Sequence, residues 1–536
     1  MILLFWSCLV TTTLALFPGA VPDEGDVRHI YPIRQIVFGL KDHSHALPYL
    51  LGWLENLEYP KHRLHVEFYL SGTQDSTAEQ ISWWKNSVKG LFNSLNIKEN
   101  EEDWLEAGLR SARMKKLSSV LLLSGNTIPR DDKLFQHLKF NKSEVILCPV
   151  FHPAMEGEVW NNQLVDEDTA TAYEGQSRVV VNKVSLPLLV NLESTDSSYV
   201  TFDFNNLPNY DGSNDYLEVF EASSARMNIP INLVADNYYG VFIDDNVELD
   251  DQISKLKYHL CDLVASSKNS PVVSRTVRPW TSEGTLPKRV DKVYLINLKR
   301  RDDRLKRMDK MFSILGVQYS LLEASDGKNL DKSLNFKILP GYIDPFHKRP
   351  IKSGEVGCFL SHYRIWKDVV DRGLKQVLVF EDDLRFTLNG IEHIEEVLED
   401  LEASKLEWDL IYVGRKKQAN DQQDLWVPEH RHLSTVGYSY WTLGYLLSQS
   451  GAKKLLDGKP LDNLLPVDEY IPLMFDNHPN EMWKQYFSPR NLKAFTLYPL
   501  SVNPQRYTTD EGYVSDTEDS TIIPSTLKET NERDEL

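Results

Sequence analysis

The amino-acid sequence predicts an α/β protein made of two tandem domains of the open-sheet, Rossmann-like kind. Three observations lead there. A chain of 536 residues exceeds what one hydrophobic core usually organises. Short apolar runs alternate with amphipathic stretches through both halves, the pattern of strands and helices in α/β layers. A polar stretch broken by Pro271, Pro279, Gly284 and Pro287 separates the halves.

The elements follow in order. Ile2 to Phe17 form an apolar run too short for a relaxed membrane span, and Pro18, Gly19 and Ala20 follow it, so residues 1–20 read as a secretory signal peptide. No later segment is apolar enough to span a membrane. The first domain, 30–270, opens with a strand at Ile36–Leu40. Next comes a helix carrying Leu47, Leu50, Leu51, Leu54 and Leu57 at helical spacing, then strands at His65–Leu70 and Val120–Leu123. Residues 271–288 read as a linker.

The second domain, 289–520, restarts with a strand at Val293–Leu298 and a helix over Asp302–Leu315 closed by Gly316. Leu305, Met308, Phe312 and Leu315 share one face of that helix. A helix from about Phe359 to Asp371 ends at Gly373. Strands at Val377–Phe380 and Trp408–Val413 follow, then an aromatic segment with Tyr438, Tyr440, Trp441 and Tyr445. Residues 521–536 read as a flexible tail ending in Arg533, Asp534, Glu535 and Leu536, a variant of the Lys-Asp-Glu-Leu retrieval signal. Together with the signal peptide this predicts residence in the endoplasmic reticulum lumen and a retrieval receptor as a partner.

Composition narrows the function classes. With 41% hydrophobic and 26% charged residues the chain is globular rather than disordered. A formal charge of −19 argues against a nucleic-acid partner, which is attracted by excess Lys and Arg. With Cys8 in the signal, Cys148, Cys261 and Cys358 allow at most one intramolecular disulfide. Asn141, followed by Lys142 and Ser143, is an N-glycosylation sequon.

The sharpest chemical feature is Glu381, Asp382 and Asp383 at the C-terminal end of a buried strand, where ligands gather in open α/β sheets. Carboxylates suit a hard divalent cation bridged to phosphates; equally, such acids cap turns. Lys299, Arg300, Arg301 and Arg304 follow the first strand of this domain. They suit a diphosphate, or alternatively a solvated helix start paired to Asp302 and Asp303. Gly354 to His362 opens a helix with small residues that let a ligand approach the backbone, while Cys358 reads as a buried hydrophobe. His362 either binds ligand or satisfies a core hydrogen bond. Asp468 and Glu469 could supply a general base, or simply begin a helix.

Several runs together resemble the procollagen galactosyltransferases of glycosyltransferase family 25, in an invertebrate-like form. They are Ile296 to Arg301, Leu339 to Tyr342, Gly357 to His362, Phe380 to Phe386, Asp409 to Arg415 and Asp510 to Glu518. The resemblance spans Val293 to about Glu518. It implies two mixed-sheet domains of the glycosyltransferase A type. It also implies inverting transfer of galactose from UDP-galactose to 5-hydroxylysine of collagen chains, with Mn²⁺ as cofactor. On that reading Glu381, Asp382 and Asp383 serve the metal, with Asp510 and Asp516 as additional ligands. Asn297, Arg300, Arg301, Arg304, Ser361 and His362 form the donor pocket, and Asp468 or Glu469 is the base. Family members carry a D-x-D after a buried strand of the first domain, but here Ser124, Gly125 and Asn126 stand there. The first domain is therefore expected to be non-catalytic, and a binding or adhesion role is the alternative function. A lumenal glucosyltransferase or a folding factor for collagen would share the compartment. Sequence leaves open the donor sugar and whether the chain forms a homodimer.

Overall fold

The computed structural model describes residues 31–99, 103–153, 178–237, 239–243, 248–266, 272–279, 287–330, 335–418, 423–507, 510, 513–517 and 519–523. The expected signal peptide, Arg533 to Leu536, and parts of the expected linker and tail lie outside them. The chain divides into two units, Met1–His259 with Ser270–Trp280, and Leu260–Asn269 with Thr281–Leu536.

The first unit is built on an eight-stranded mixed sheet. Its strands are β1 (Arg34–Leu40), β2 (Leu64–Leu70), β3 (Ser94–Glu99), β4 (Ser119–Ser124), β5 (Ile146–Pro149), β6 (Arg178–Val181), β7 (Leu188–Asn191) and β8 (Ile231–Val234). They are ordered β3-β2-β1-β4-β7-β5-β8-β6. The first four run parallel, and β7 pairs antiparallel with both β4 and β5. Helix α1 (Leu47–Asn56) buries Leu47, Leu50, Leu51 and Leu54, the stripe that the leucine spacing predicts. Residues of the expected linker belong to this unit: Ser274 N donates to Pro48 O at 2.7 Å, its hydroxyl donates to Glu55, and Val277 joins the core.

Helix α2 (Leu249–Ala265) starts in the first unit, and its last residues count with the second. There Cys261, Val264 and Ala265 join the core formed with Met308, Met311 and Phe312. The second unit carries β9 (Lys292–Asn297), α3 (Asp302–Leu315), β10 (Ser320–Glu323), α4 (Ser353–Arg372), β11 (Gln376–Glu381), β12 (Leu384–Phe386), α5 (Gly390–Ser404), β13 (Leu410–Lys417), β14 (Leu433–Thr435), β15 (Ser439–Ser448), α6 (Val467–Met474), β16 (Ala494–Leu497) and β17 (Val502–Pro504). Seven strands form its main sheet, ordered β10-β9-β11-β15-β13-β16-β14, and β12 pairs with β17 beside it. The first three strands run parallel, β11 and β13 both pair antiparallel with β15, and β13 and β16 run parallel. Both units thus carry the mixed α/β sheet that the sequence predicts.

The expected helix over 302–315 appears with those bounds, and Gly316 ends it in the left-handed region at φ 74°. Helix α4 begins at Ser353, six residues before the expected start near Phe359, because Gly354 and Gly357 sit where the backbone is crowded rather than in a loop. A Cβ on Gly357 would lie 2.4 Å from Ser325 O. Cys148, Cys261 and Cys358 are all free thiols, so no disulfide joins them. Among the described residues no helix is long and apolar enough to cross a membrane.

Candidate active site

Strand β11 explains where the acids stand. Val377, Leu378, Val379 and Phe380 are fully buried between the parallel β9 and antiparallel β15, so the strand must end where the sheet opens, at Glu381. Helix α4 crosses beneath, burying Val356, Phe359, Leu360, Ile365 and Trp366, and this lays Ser361 and His362 under the same opening. Ser361 is fully buried. Its hydroxyl donates to Gly357 O at 2.7 Å and accepts from Ser325 N at 2.9 Å, pinning the loop that rims the cavity.

The protonation of His362 follows from its partners. Trp366 Nε1 can only donate, so it gives its hydrogen to the Tyr445 hydroxyl at 3.1 Å. Tyr445 then donates to His362 Nδ1 at 2.9 Å, leaving the imidazole hydrogen on Nε2, which points to Glu381 Oε1 at 3.1 Å. Burial pushes the imidazole down to about 3, so it stays neutral at physiological pH. Thr442 also donates to Glu381 Oε1. Glu381 Oε2 makes no hydrogen bond among the described residues.

The three acids divide by environment. Asp382 is buried and both its oxygens are engaged, by Asn297 Nδ2 at 2.6 Å and by Arg304 Nη1 at 3.0 Å; its carbonyl accepts from Arg307. Asn297 is itself buried, and Asp382, although it lines the cavity, has both oxygens held by these partners rather than open to a ligand. Asp383 lines the cavity with Oδ1 unpartnered, and Arg304 stands 3.5 Å from Oδ2. Burial raises Glu381 to about 7, with the Asp382 charge adding to it. Burial and then the Glu381 charge raise Asp383. Glu381 and Asp383 thus present lone pairs that a hard divalent cation would take, displacing protons. Cys358, His362 and Glu381 also offer ligand atoms within 4.8 Å of one another. However, burial holds the thiol well above its usual range and the imidazole hydrogen is committed to Glu381. That leaves carboxylates as the metal-binding chemistry.

The basic cluster is largely paired. Arg300 bridges Asp326 and Asp516 at 2.5 and 2.9 Å, and Arg301 bridges Asp303 and Asp516 at 3.0 and 2.5 Å. Arg300 and Arg304 line the cavity, with Lys328 beside them, while Arg301 stands behind. Asp516, an expected extra ligand, is therefore the counter-ion of this cluster, and Asp510 accepts from Tyr507 N. Arg307 was not singled out from sequence. It is pulled down to about 10 by burial and by Arg304, and only its one-turn spacing from Arg304 on α3 could have flagged it.

A cavity of about 110 Å³ lies among these residues. It shares Cys358, Glu381, Asp383, Ser515 and Thr517 with a cleft of about 550 Å³, which adds Phe346, Tyr440, Trp441 and Asp468. The two acids at the start of α6 differ sharply. Glu469 is 1% exposed and accepts from the Tyr438 hydroxyl at 2.7 Å, from the Tyr440 hydroxyl and from His478 Nε2 at 2.7 Å. Asp468 lines the cleft with Oδ1 unpartnered, and burial followed by the Glu381 and Glu469 charges pushes it up to about 8. The backbone N–H of Trp441 donates to Asp468, and Trp441 holds a left-handed φ of 67°, strained for so bulky a residue.

In the first unit the positions at the end of β4, Ser124, Gly125 and Asn126, carry no carboxylate. Asn126 is buried, its amide donating to Gln252 at 2.8 Å and its oxygen 3.2 Å from His45 Nε2. Asn141 is exposed and its amide donates to Glu144 at 2.9 Å.

Carboxylates and arginines gathered over the parallel strand ends of a mixed α/β sheet stand where open α/β folds hold their ligands. The model of glycosyltransferase family 25 (LPS biosynthesis protein) matches residues 290–471, and that of the glycosyltransferase family 25 N-terminal domain matches 32–123. A glycosyltransferase 25 family member of Aedes aegypti is 34% identical, over 97% of this chain and 92% of its own. Procollagen galactosyltransferase 2 of Homo sapiens is 31% identical, over 97% of this chain and 91% of its own. The probable inactive glycosyltransferase 25 family member 3 of Bos taurus is 32% identical, over 95% and 91%. This chain belongs to glycosyltransferase family 25.

Proposed function

We propose that this glycosyltransferase transfers galactose from UDP-galactose to the 5-hydroxyl of hydroxylysine in collagen chains, inverting the anomeric centre, with Mn²⁺ as its cofactor. The observation that carries the reading is the joint placement of Glu381, Asp383 and Asp468 on one cleft, with Asp383 Oδ1 and Asp468 Oδ1 unpartnered. Glu381 and Asp383 would hold the cation, whose chemistry is to stabilise charge building on the departing diphosphate. Arg300, Arg304 and Lys328 line the cavity where phosphates would lie and orient them by charge and directional donors. Asp468 takes the proton of the attacking hydroxyl as the new glycosidic bond forms and the bond from the anomeric carbon to the phosphate oxygen breaks, releasing UDP. Its raised pKa suits a base working near neutral pH.

Residence in the endoplasmic reticulum lumen, retrieval through a receptor for Arg533 to Leu536 and glycosylation at Asn141 belong to the same reading, supported by the terminal sequences and the sequon. Two facts favour the alternative of a non-catalytic binding or adhesion protein: Ser124, Gly125 and Asn126 lack carboxylates, and one close relative carries an inactive name. The test is to incubate the full chain with Mn²⁺ and a hydroxylysine peptide, comparing UDP-galactose with UDP-glucose. Transfer of galactose is expected, reduced to background in Asp383→Ala without loss of Tm. Peptide binding without turnover would support the alternative.

A further inference from the structure

Away from both cavities, helix α5 and the residue preceding β14 bring together two imidazoles and a carboxylate. His393 and Glu396 are three apart on α5 and so share a face. His432 reaches them from the sheet, where its carbonyl accepts Tyr498 N at 2.9 Å. The His393 and His432 rings lie 4.2 Å apart at 32°, and His432 Nε2 is 2.6 Å from Glu396 Oε2. One ligand atom from each of the three residues lies within 4.8 Å of the other two.

From this arrangement we propose that His393, Glu396 and His432 form a zinc site that clips α5 to the sheet. Within the trio Glu396 meets His432 through Oε2 and Arg431 through Oε1, so the unfilled position is that of His393. Arg431 is matched to Glu396, Glu399 and Asp400, and His430 to Ser404 and Pro428 O. His393 Nδ1, by contrast, is shielded from solvent and has no hydrogen-bond partner. Two imidazoles this close repel each other when both are protonated, whereas both can donate lone pairs to one cation. The field suits a cation as well: the six acids of α5, Glu392, Glu395, Glu396, Glu399, Asp400 and Glu402, outnumber the two arginines paired with them, Arg289 and Arg431. The donor set decides which one. Two nitrogens and one carboxylate oxygen suit the borderline Zn²⁺, with water completing four-coordination, and not the oxygen-seeking Mg²⁺ or Ca²⁺. The trio borders neither cavity, so the cation's role is structural.

The test uses the full chain, stripped of metal and kept in excess Mn²⁺ to occupy the carboxylate pair, then titrated with Zn²⁺ against a chromophoric chelator. One equivalent of Zn²⁺ should bind and raise Tm. His393→Ala and His432→Ala should lose that equivalent and the Tm rise, while Mn²⁺-dependent transfer stays at the wild-type rate. Glu396→Gln should weaken Zn²⁺ by more than about tenfold, the loss that even an outer-shell change brings. Wild-type protein that takes up no Zn²⁺, or variants that hold it as tightly as wild type, overturns the site. Should the alanine variants fail to fold, Co²⁺ in the wild-type chain decides: a strong tetrahedral visible band supports the site, and only the weak octahedral spectrum overturns it.

Discussion

Asp468 and Glu469 are neighbours in sequence on the first turn of α6, yet the fold gives them opposite work. Both border the cleft, but Glu469 accepts three hydrogen bonds through its two oxygens, whereas Asp468 leaves Oδ1 unpartnered. Asp468→Asn is therefore expected to lower kcat by about 10²–10⁴-fold, the usual contribution of a general base, while leaving Tm near wild type. Glu469→Ala should do the reverse and act first on folding, since it strands two buried donors, Tyr438 and His478, at roughly 1–3 kcal/mol each; a thermal melt separates the two. Arg304→Met leaves the Asp382 charge buried without its guanidinium, and breaking such a pair costs about 3–5 kcal/mol. Glu381 sets a pH dependence. Burial raises it from 4.5 to about 7, so the folded chain holds its proton more tightly than the unfolded chain. Its contribution to stability is full below about pH 4.5 and is lost as pH rises through about 7. A cation on the ionised carboxylates offsets that loss, so the Tm gain from Mn²⁺ should grow between pH 5 and 8. A gain independent of pH would remove Glu381 from the metal site.

Helix α4 shows how an element serves the site through what it lacks. Gly354 and Gly357 leave room for the backbones of Thr517 and of Ser325 to Gly327. A methyl at 357 would meet backbone atoms at 2.4 and 2.9 Å that have no rotamer to escape into. Gly357→Ala should therefore displace the Ser325 to Lys328 rim and raise KM for the nucleotide sugar more than it lowers kcat, which steady-state kinetics with varied donor would show. The segment Gly354 to His362 reads as a helix opening, yet its isolated glycines are also loop signals, and the expected start near Phe359 follows from the latter. Their reason is a neighbour more than 25 residues away in the chain.

For the whole molecule, the units do not coincide with a single cut in the chain. Residues 260–269 count with the second unit, where Cys261, Val264 and Ala265 cover Met308, Met311 and Phe312. A fragment spanning 260–536 should melt several degrees above one spanning 288–536, at about 2–4 °C per kcal/mol for a domain of this size. The expected strands and the bounds of α3 were legible because apolar periodicity and a closing Gly316 are local signals. The acids at the end of β11 were legible for the same reason: a buried strand that ends in carboxylates announces a sheet opening. Which carboxylates stay uncommitted was not legible. Asp382 takes Asn297 and Arg304 across 85 and 78 positions, Glu469 takes Tyr438 across 31, and Asp516 takes Arg300 across 216. Local pattern determined the class of fold and the family of candidate residues. Only the tertiary structure decided which of them bind and which brace, because hydrogen-bond satisfaction depends on partners that the folded sheet, not the sequence neighbourhood, brings within reach.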